Sequence, residues 1–228
     1  GNSVWLKRED HQRNFSFKVR GAYAKMLGLC DHEKKAGVIA VSQGNHAQGV
    51  GLAARHLGIM ATVVMPETAP EIKQKAVRKL GAEVVLFGKS FGEAMAHGLA
   101  LSKDRKQSFV HPFDDPLVVS GQGTVGKEMM DQWRESGHTK SPDIVFVPVG
   151  GGGLLAGVGT YVKHASPETK VIGVEPVGSE CLAQALKMGR PVDVEVTDSF
   201  ADGVAVPKIG NVPFSLIRKV VDPDVVTV

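Results

Sequence analysis

Three short segments carry groups that could do chemistry together. Ser16-Phe17-Lys18-Val19-Arg20-Gly21 sets a lysine beside an aromatic ring and an apolar neighbour. A lysine in such surroundings can be desolvated, which lowers its pKa toward the free amine that imine chemistry needs. Ser42-Gln43-Gly44-Asn45-His46 places small polar groups between a strand-like run and a helix-like run. Open α/β sheets bind ligands at such turns. Gly150-Gly151-Gly152-Gly153, followed by Leu154, is a run of amides that no side chain shields. Amides ahead of a helix can wrap a phosphate. A lysine, an anion cradle and a phosphate loop are together what it takes to hold pyridoxal 5'-phosphate as a Schiff base.

Each segment also has a plainer reading. Lys18 is one lysine among many, most of them solvated. Ser42 and Asn45 equally suit the N-cap of a helix, and His46 reads better as a packing histidine. The glycine run has a sharper rival. Gly151 to Ala156 fits G-x-G-x-x-A, and Glu175 ends the next strand-like run. That is the layout of a nicotinamide dinucleotide site. Four consecutive glycines exceed what that fingerprint asks and suit a small phosphate. His111-Pro112-Phe113-Asp114-Asp115 has the residue types of a metal or acid–base cluster, but its Pro and Asp content describes a turn, the preferred reading. Lys7-Arg8-Glu9-Asp10 reads as the polar exit of an N-terminal strand.

The elements that would position these groups alternate. Strands are expected at 38–41, 61–65, 83–87, 108–110, 143–149, 171–175 and 225–228. Helices are expected at 22–29, 46–57, 71–80, 91–102, 122–135 and 154–163. Continuous Val/Ile runs suggest strands covered on both faces. Strand–helix repetition argues for an α/β fold with two open, mostly parallel twisted sheets and flanking helices. Boundaries near Gly37 and Ser120 divide the chain into a small inserted α/β domain (37–120) and a large cofactor-binding domain (1–36 and 121–228).

Composition sets looser bounds. The 228 residues are 43% hydrophobic and 22% charged, which is globular rather than disordered. The net charge of +3 is weak and spread along the chain, so no nucleic acid partner is expected. No apolar stretch approaches the ~20 residues that span a bilayer, so no membrane role is expected. Gly1 to Leu6 lack a signal-peptide pattern, so any leader is expected to have been removed. Two distant cysteines, Cys30 and Cys181, suggest free thiols and an intracellular setting: cytoplasmic, or an organelle matrix.

Read in order, the segments resemble the threonine dehydratases of biosynthetic type, fold type II pyridoxal-phosphate enzymes of the tryptophan-synthase β-chain kind. The resemblance spans essentially the whole chain. It rests on Leu6 to Asp10, Phe15 to Tyr23, Ser42 to Gln48, Met65 to Lys73, His111 to Gly123, Pro148 to Gly157, Gly173 to Pro176 and Ala201 to Val206. It implies that Lys18 carries the cofactor and exchanges the substrate Cα proton, while Phe17 packs beside the cofactor. It further implies that Asn45 bonds the ring's 3-oxygen and that the amides of Gly150 to Leu154 hold the phosphate. Ser42, Gly44, Asn45 and His46 would take the substrate carboxylate, and Gly203 would lie near the ring face. The implied reaction converts L-threonine to 2-oxobutanoate and ammonia, the first step toward isoleucine, with L-serine as a second substrate and a homo-oligomer as the full-length form.

Departures from the family pattern sharpen the expectation. The similar serine racemases place a second serine where Gln43 stands, which disfavours racemization. Those relatives bind a divalent cation through a glutamate matching Glu175 and an aspartate where Cys181 stands, so no metal is expected. Family members continue past the equivalent of Val228 into a Ser-Gly-x-Asn segment that caps the pyridine nitrogen. The chain is therefore expected to be a catalytic-domain piece truncated at its C-terminus. The alternatives are a catabolic serine/threonine dehydratase, a racemase-like enzyme, an NAD-dependent oxidoreductase, or an inactive cofactor-binding fragment.

Overall fold

Two strands are buried at every residue, β1 (Val38–Val41) and β2 (Ala61–Met65), as expected of apolar runs covered on both faces. They form the centre of a four-stranded sheet with β3 (Glu83–Leu86) and β4 (Ser108–Phe109), in the order β3-β2-β1-β4. Every pairing in it is parallel, with Val38 opposite both Ala61 and Ser108. The computed structural model describes residues Gly1–Val228. A second parallel sheet, β5-β6-β7, comprises Ile144–Pro148, Lys170–Glu175 and Val226–Thr227. The expectation of two covered faces fails in this sheet. In β5, Val145 and Val147 are buried while Ile144 and Phe146 are 43% and 58% exposed.

The crossovers are helices: α1 (Lys18–Leu27), α2 (Asp31–Ala36), α3 (Asn45–Leu57), α4 (Glu71–Lys79), α5 (Phe91–Asp104), α6 (Pro116–Glu135), α7 (Gly153–Ala165), α8 (Cys181–Met188) and α9 (Asn211–Val220). One core gathers around β1 and β2 and includes Ala22 and Met26 of α1, Leu29 just after it, and Val118 of α6. A second gathers around β5 and β6 and takes Val125 and Met130 from α6. Helix α6 thus contributes to both cores.

Two helices begin earlier than periodicity predicts. Helix α1 starts at Lys18 rather than Ala22, and Gly21 packs inside it. A methyl there would overlap the Gln122 side chain, whose Oε1 accepts the Gly21 amide at 3.1 Å. Helix α6 starts at Pro116 rather than Gln122. The Asp115 carboxylate caps it, accepting from the amides of Leu117 (2.8 Å) and Val118 (3.2 Å), and Pro116 occupies the first turn. The glycines of this helix serve close packing. A Cβ at Gly121 would lie 2.5 Å from the Arg20 carbonyl, and one at Gly123 3.2 Å from that of Gly157.

The N-terminal strand expected before Lys7 is absent. Residues 1–8 have no regular structure, and Glu9–His11 form a short 3-10 turn. Charge pairing places this segment. Arg20 holds Glu9 with two bonds of 2.8 Å and Glu128 with one of 2.7 Å, while Lys7 reaches Glu128 at 2.6 Å.

Candidate active site

Lys18 is the first residue of α1, and Ser16 Oγ accepts its amide at 3.3 Å. Its amine turns inward and donates to the Pro112 carbonyl at 2.9 Å, with the Phe17 ring centroid 5.4 Å away. No carboxylate offsets its burial, which pushes the amine down to about 8. An amine with that pKa supplies free base near neutrality, which the sequence context of Phe17 and Val19 suggested.

The Ser42–His46 segment links β1 to α3. Neither Ser42 nor Asn45 caps the helix; Gly44 is the N-cap residue, and Ser42 Oγ accepts the Gly44 amide at 3.2 Å. Asn45 is exposed, and its side chain has no partner within the protein. It lies one turn before Gly49, where a Cβ would stand 2.9 Å from the Lys18 carbonyl carbon. Residues i and i+4 share a helix face, so Asn45 lies on the α3 face that meets the start of α1. His46 behaves as a packing histidine. It is buried, its Nε2 bonds the Val110 carbonyl at 2.8 Å, and burial pushes it down to about 3, so the ring is neutral.

The glycine loop follows β5. Gly152 has φ +86°, a left-handed conformation suited to glycine, and caps α7 without any side-chain acceptor. The amides of Gly151, Gly152, Gly153 and Leu154 donate no backbone bond, so they remain available to an anion at a helix N-terminus. A Cβ at Gly151 would overlap the Phe113 ring, and one at Gly150 would lie 3.1 Å from Val204 Cα. The glycines thus admit close packing as well as bare amides. Gly203 lies across from Gly150, and a methyl built on it meets nothing within 4 Å. Lys73 of α4 reaches Asp202 at 3.5 Å, which ties this loop toward the first sheet's helices.

Several residues outside the sequence-derived set hold the site together. Phe113 packs on Gly151 and Gly153. Ser179, buried, accepts the Val206 amide at 3.2 Å and donates to the Val204 carbonyl at 3.3 Å. Cys181 Sγ donates to the Gly150 carbonyl at 3.3 Å. Glu175 is fully buried and accepts the amides of Leu182 (2.7 Å) and Ala183 (2.9 Å) at the start of α8. Its carboxylate is committed inside the protein and cannot bond a ribose, which removes the basis of the dinucleotide reading. The sequence draws attention to Phe113, Glu175 and Cys181 for other reasons; no sequence signal marks Ser179 or the contacts that these residues make here.

The local geometry fits pyridoxal phosphate: a free amine at Lys18, unused amides at a helix N-terminus and open space above Gly203. Comparison with known proteins agrees. A family model described as pyridoxal-phosphate dependent enzyme matches residues 1–228. A biosynthetic L-threonine dehydratase of Pasteurella multocida is 49% identical over all of this chain and 43% of its own length. The chloroplastic threonine dehydratase 2 of Solanum lycopersicum is 49% identical over 97% of this chain and 36% of its own. Among solved structures, the processed threonine deaminase isoform 2 of Solanum lycopersicum superposes with a TM-score of 0.92 at 49% identity, covering 97% of this chain and 62% of that one. Maize serine racemase gives 0.89 at 32% identity, over 96% and 64%. The chain therefore spans about two-fifths of the curated relatives it matches. Over that span it belongs to the pyridoxal-phosphate-dependent enzymes of fold type II.

Proposed function

We propose that this chain is the catalytic part of a threonine dehydratase, which converts L-threonine to 2-oxobutanoate and ammonia and takes L-serine as a second substrate. The observation that carries the reading is the unpaired, desolvated amine of Lys18, set by Pro112 against a turn whose next residue packs on the glycine loop. The names of the relatives supply the substrate. Pyridoxal phosphate, when bound, supplies the electron-withdrawing ring that acidifies the substrate Cα–H bond.

The protein's share is positioning and proton movement. Lys18 Nζ would hold the cofactor and would accept the proton from the substrate Cα. The amides of Gly150 to Leu154 bind the phosphate. Phe17 would pack beside the ring, Asn45 would help to orient it, and Gly203 would leave room for it. The Ser42 hydroxyl and the amides of Gly44, Asn45 and His46 bind the substrate carboxylate. Within this reading, residues 37–120 form the small domain, residues 1–36 and 121–228 the large one, and the whole protein is a homo-oligomer. No helix is long and apolar enough to cross a membrane.

The test is the visible absorption of the protein with pyridoxal phosphate, beside Lys18→Ala. The reading requires a lysine-linked band in the parent, its loss in the variant, and 2-oxo acid formation from threonine by the whole protein. A well-folded parent without the band would overturn it.

A further inference from the structure

The segment between β4 and α6 touches the lysine, the glycine loop and the start of α9, although none of its side chains has a part in the proposed chemistry. His111 Nδ1 accepts two amides of its own turn, Asp114 at 2.7 Å and Phe113 at 3.2 Å. A nitrogen accepting two N–H bonds carries a lone pair and no proton, so the proton of the neutral ring is on Nε2. The ring is wedged edge-on against Phe113, with centroids 4.7 Å apart, and lies 6.1 Å from Phe109.

The turn that results delivers four contacts. The Pro112 carbonyl meets Lys18 Nζ at 2.9 Å. Phe113 lies on Gly151 and Gly153. Asp114 Oδ1 accepts the Val212 amide at 2.8 Å. Asp115 caps α6 and pairs with Lys25 of α1 at 2.7 Å. One imidazole therefore organises the strip of backbone that joins the amine to the phosphate-binding loop.

We propose that His111 is a positioning residue for the cofactor: its unprotonated Nδ1 holds the 111–114 turn, which sets Lys18 against Pro112 and Phe113 against the glycine loop. The proposal rests on the reading of the site as a pyridoxal-phosphate site. Protonation of Nδ1 removes the acceptor and turns an N–H toward two other N–H groups, so the turn opens in acid. The charged and titratable groups facing this ring are Lys18 from α1, His46 from α3, and Asp114 and Asp115 from its own turn. Burial and the Lys18 charge disfavour the imidazolium while the two carboxylates favour it, and burial prevails. The turn is therefore intact at neutral pH and lost only below the ordinary histidine range.

Two variants separate this role from simple packing. Asn carries an oxygen acceptor where His carries Nδ1 and does not titrate; Leu fills space without an acceptor. In the whole protein at pH 8, His111→Leu is expected to weaken pyridoxal-phosphate affinity roughly tenfold, about 1.4 kcal/mol. His111→Asn is expected to stay within about twofold, well inside the cost of leaving an amide unpaired. As pH falls below the ordinary histidine range, the parent should lose affinity faster than His111→Asn. The cofactor-free protein gives an independent readout: acetic anhydride labelling of Lys18, located by peptide mass, should accelerate in His111→Leu and not in His111→Asn. The proposal is overturned if Asn damages affinity as much as Leu, if Leu changes neither readout, or if Asn retains the parent's acid limb. Should Leu fail to fold, the Asn pH comparison decides. Should the parent take up no cofactor, the site reading fails, and the Lys18 labelling still judges His111.

Discussion

Gly151→Ala tests the packing behind the glycine loop. The added methyl would overlap Cδ1, Cγ and Cε1 of Phe113. The same residue also packs closely on Gly153, where a Cβ would lie 3.0 Å from Phe113 Cβ. Gly151 does not have a positive φ, so the cost is steric and not conformational. Overpacking of this kind costs about 1–3 kcal/mol. A rigid aromatic neighbour puts the expectation near 2 kcal/mol, or roughly 4–8 °C in Tm for a chain of this size. Urea denaturation of Gly151→Ala, Phe113→Leu and the double variant measures the coupling. Shortening the ring gives the methyl room, so the double variant should be more stable than the sum of the singles by about 1 kcal/mol or more. Gly203→Ala is the control. Its methyl meets nothing within 4 Å, so stability should stay within about 0.5 kcal/mol, while cofactor affinity falls. Additivity of Gly151→Ala and Phe113→Leu to within about 0.5 kcal/mol would refute the contact.

Three further outcomes follow from the buried groups. The Lys18 amine is lowered from 10.5 to about 8, so the folded chain resists a proton that the unfolded chain accepts. Stability is lost as pH falls through that window and stays lost below it. Lys18→Met should therefore stabilise the cofactor-free chain at pH 7 by about 1–3 kcal/mol, with the gap closing near pH 10.5, as urea midpoints at both pH values would show. His46 is likewise lowered from 6.5 to about 3, so acidification across that interval should cost up to about 1.4 kcal/mol per pH unit. A His46→Gln chain that keeps the same acid slope would count against this. Cys30 is exposed, whereas burial pushes the Cys181 thiol up to about 12. Iodoacetamide should modify Cys30 alone in the native chain and both cysteines in urea; rapid native labelling of Cys181 would contradict its placement.

What could be read from the sequence was local. The apolar runs of β1 and β2, the punctuation by Gly37, Pro66 and Gly81, and the bare amides of the glycine loop mark their conformations through neighbours a few residues away. The lysine's apolar flanks foretold its desolvation, and the ordered motifs foretold the family.

The sequence was silent or ambiguous where a residue's role depends on something distant in the chain. The expected helices began too late, at Ala22 and Gln122, because Gly21 and Gly121 lie inside helices whose starts depend on Gln122, Asp115 and the Arg20 carbonyl at close range. Glu175 matched the acid of a dinucleotide site until α8 folded back and took its carboxylate. His111 read only as part of a turn; the Lys18 amine and the glycine loop meet its flanking residues through contacts that span many residues of sequence. Composition and periodicity fix which segments become strands and helices, because those preferences are set by adjacent residues. Which carbonyl receives the lysine, which ring lies behind the phosphate loop and which acid is consumed by a helix end are pairwise facts between distant segments. Only the packing of the two sheets around α6 decides them.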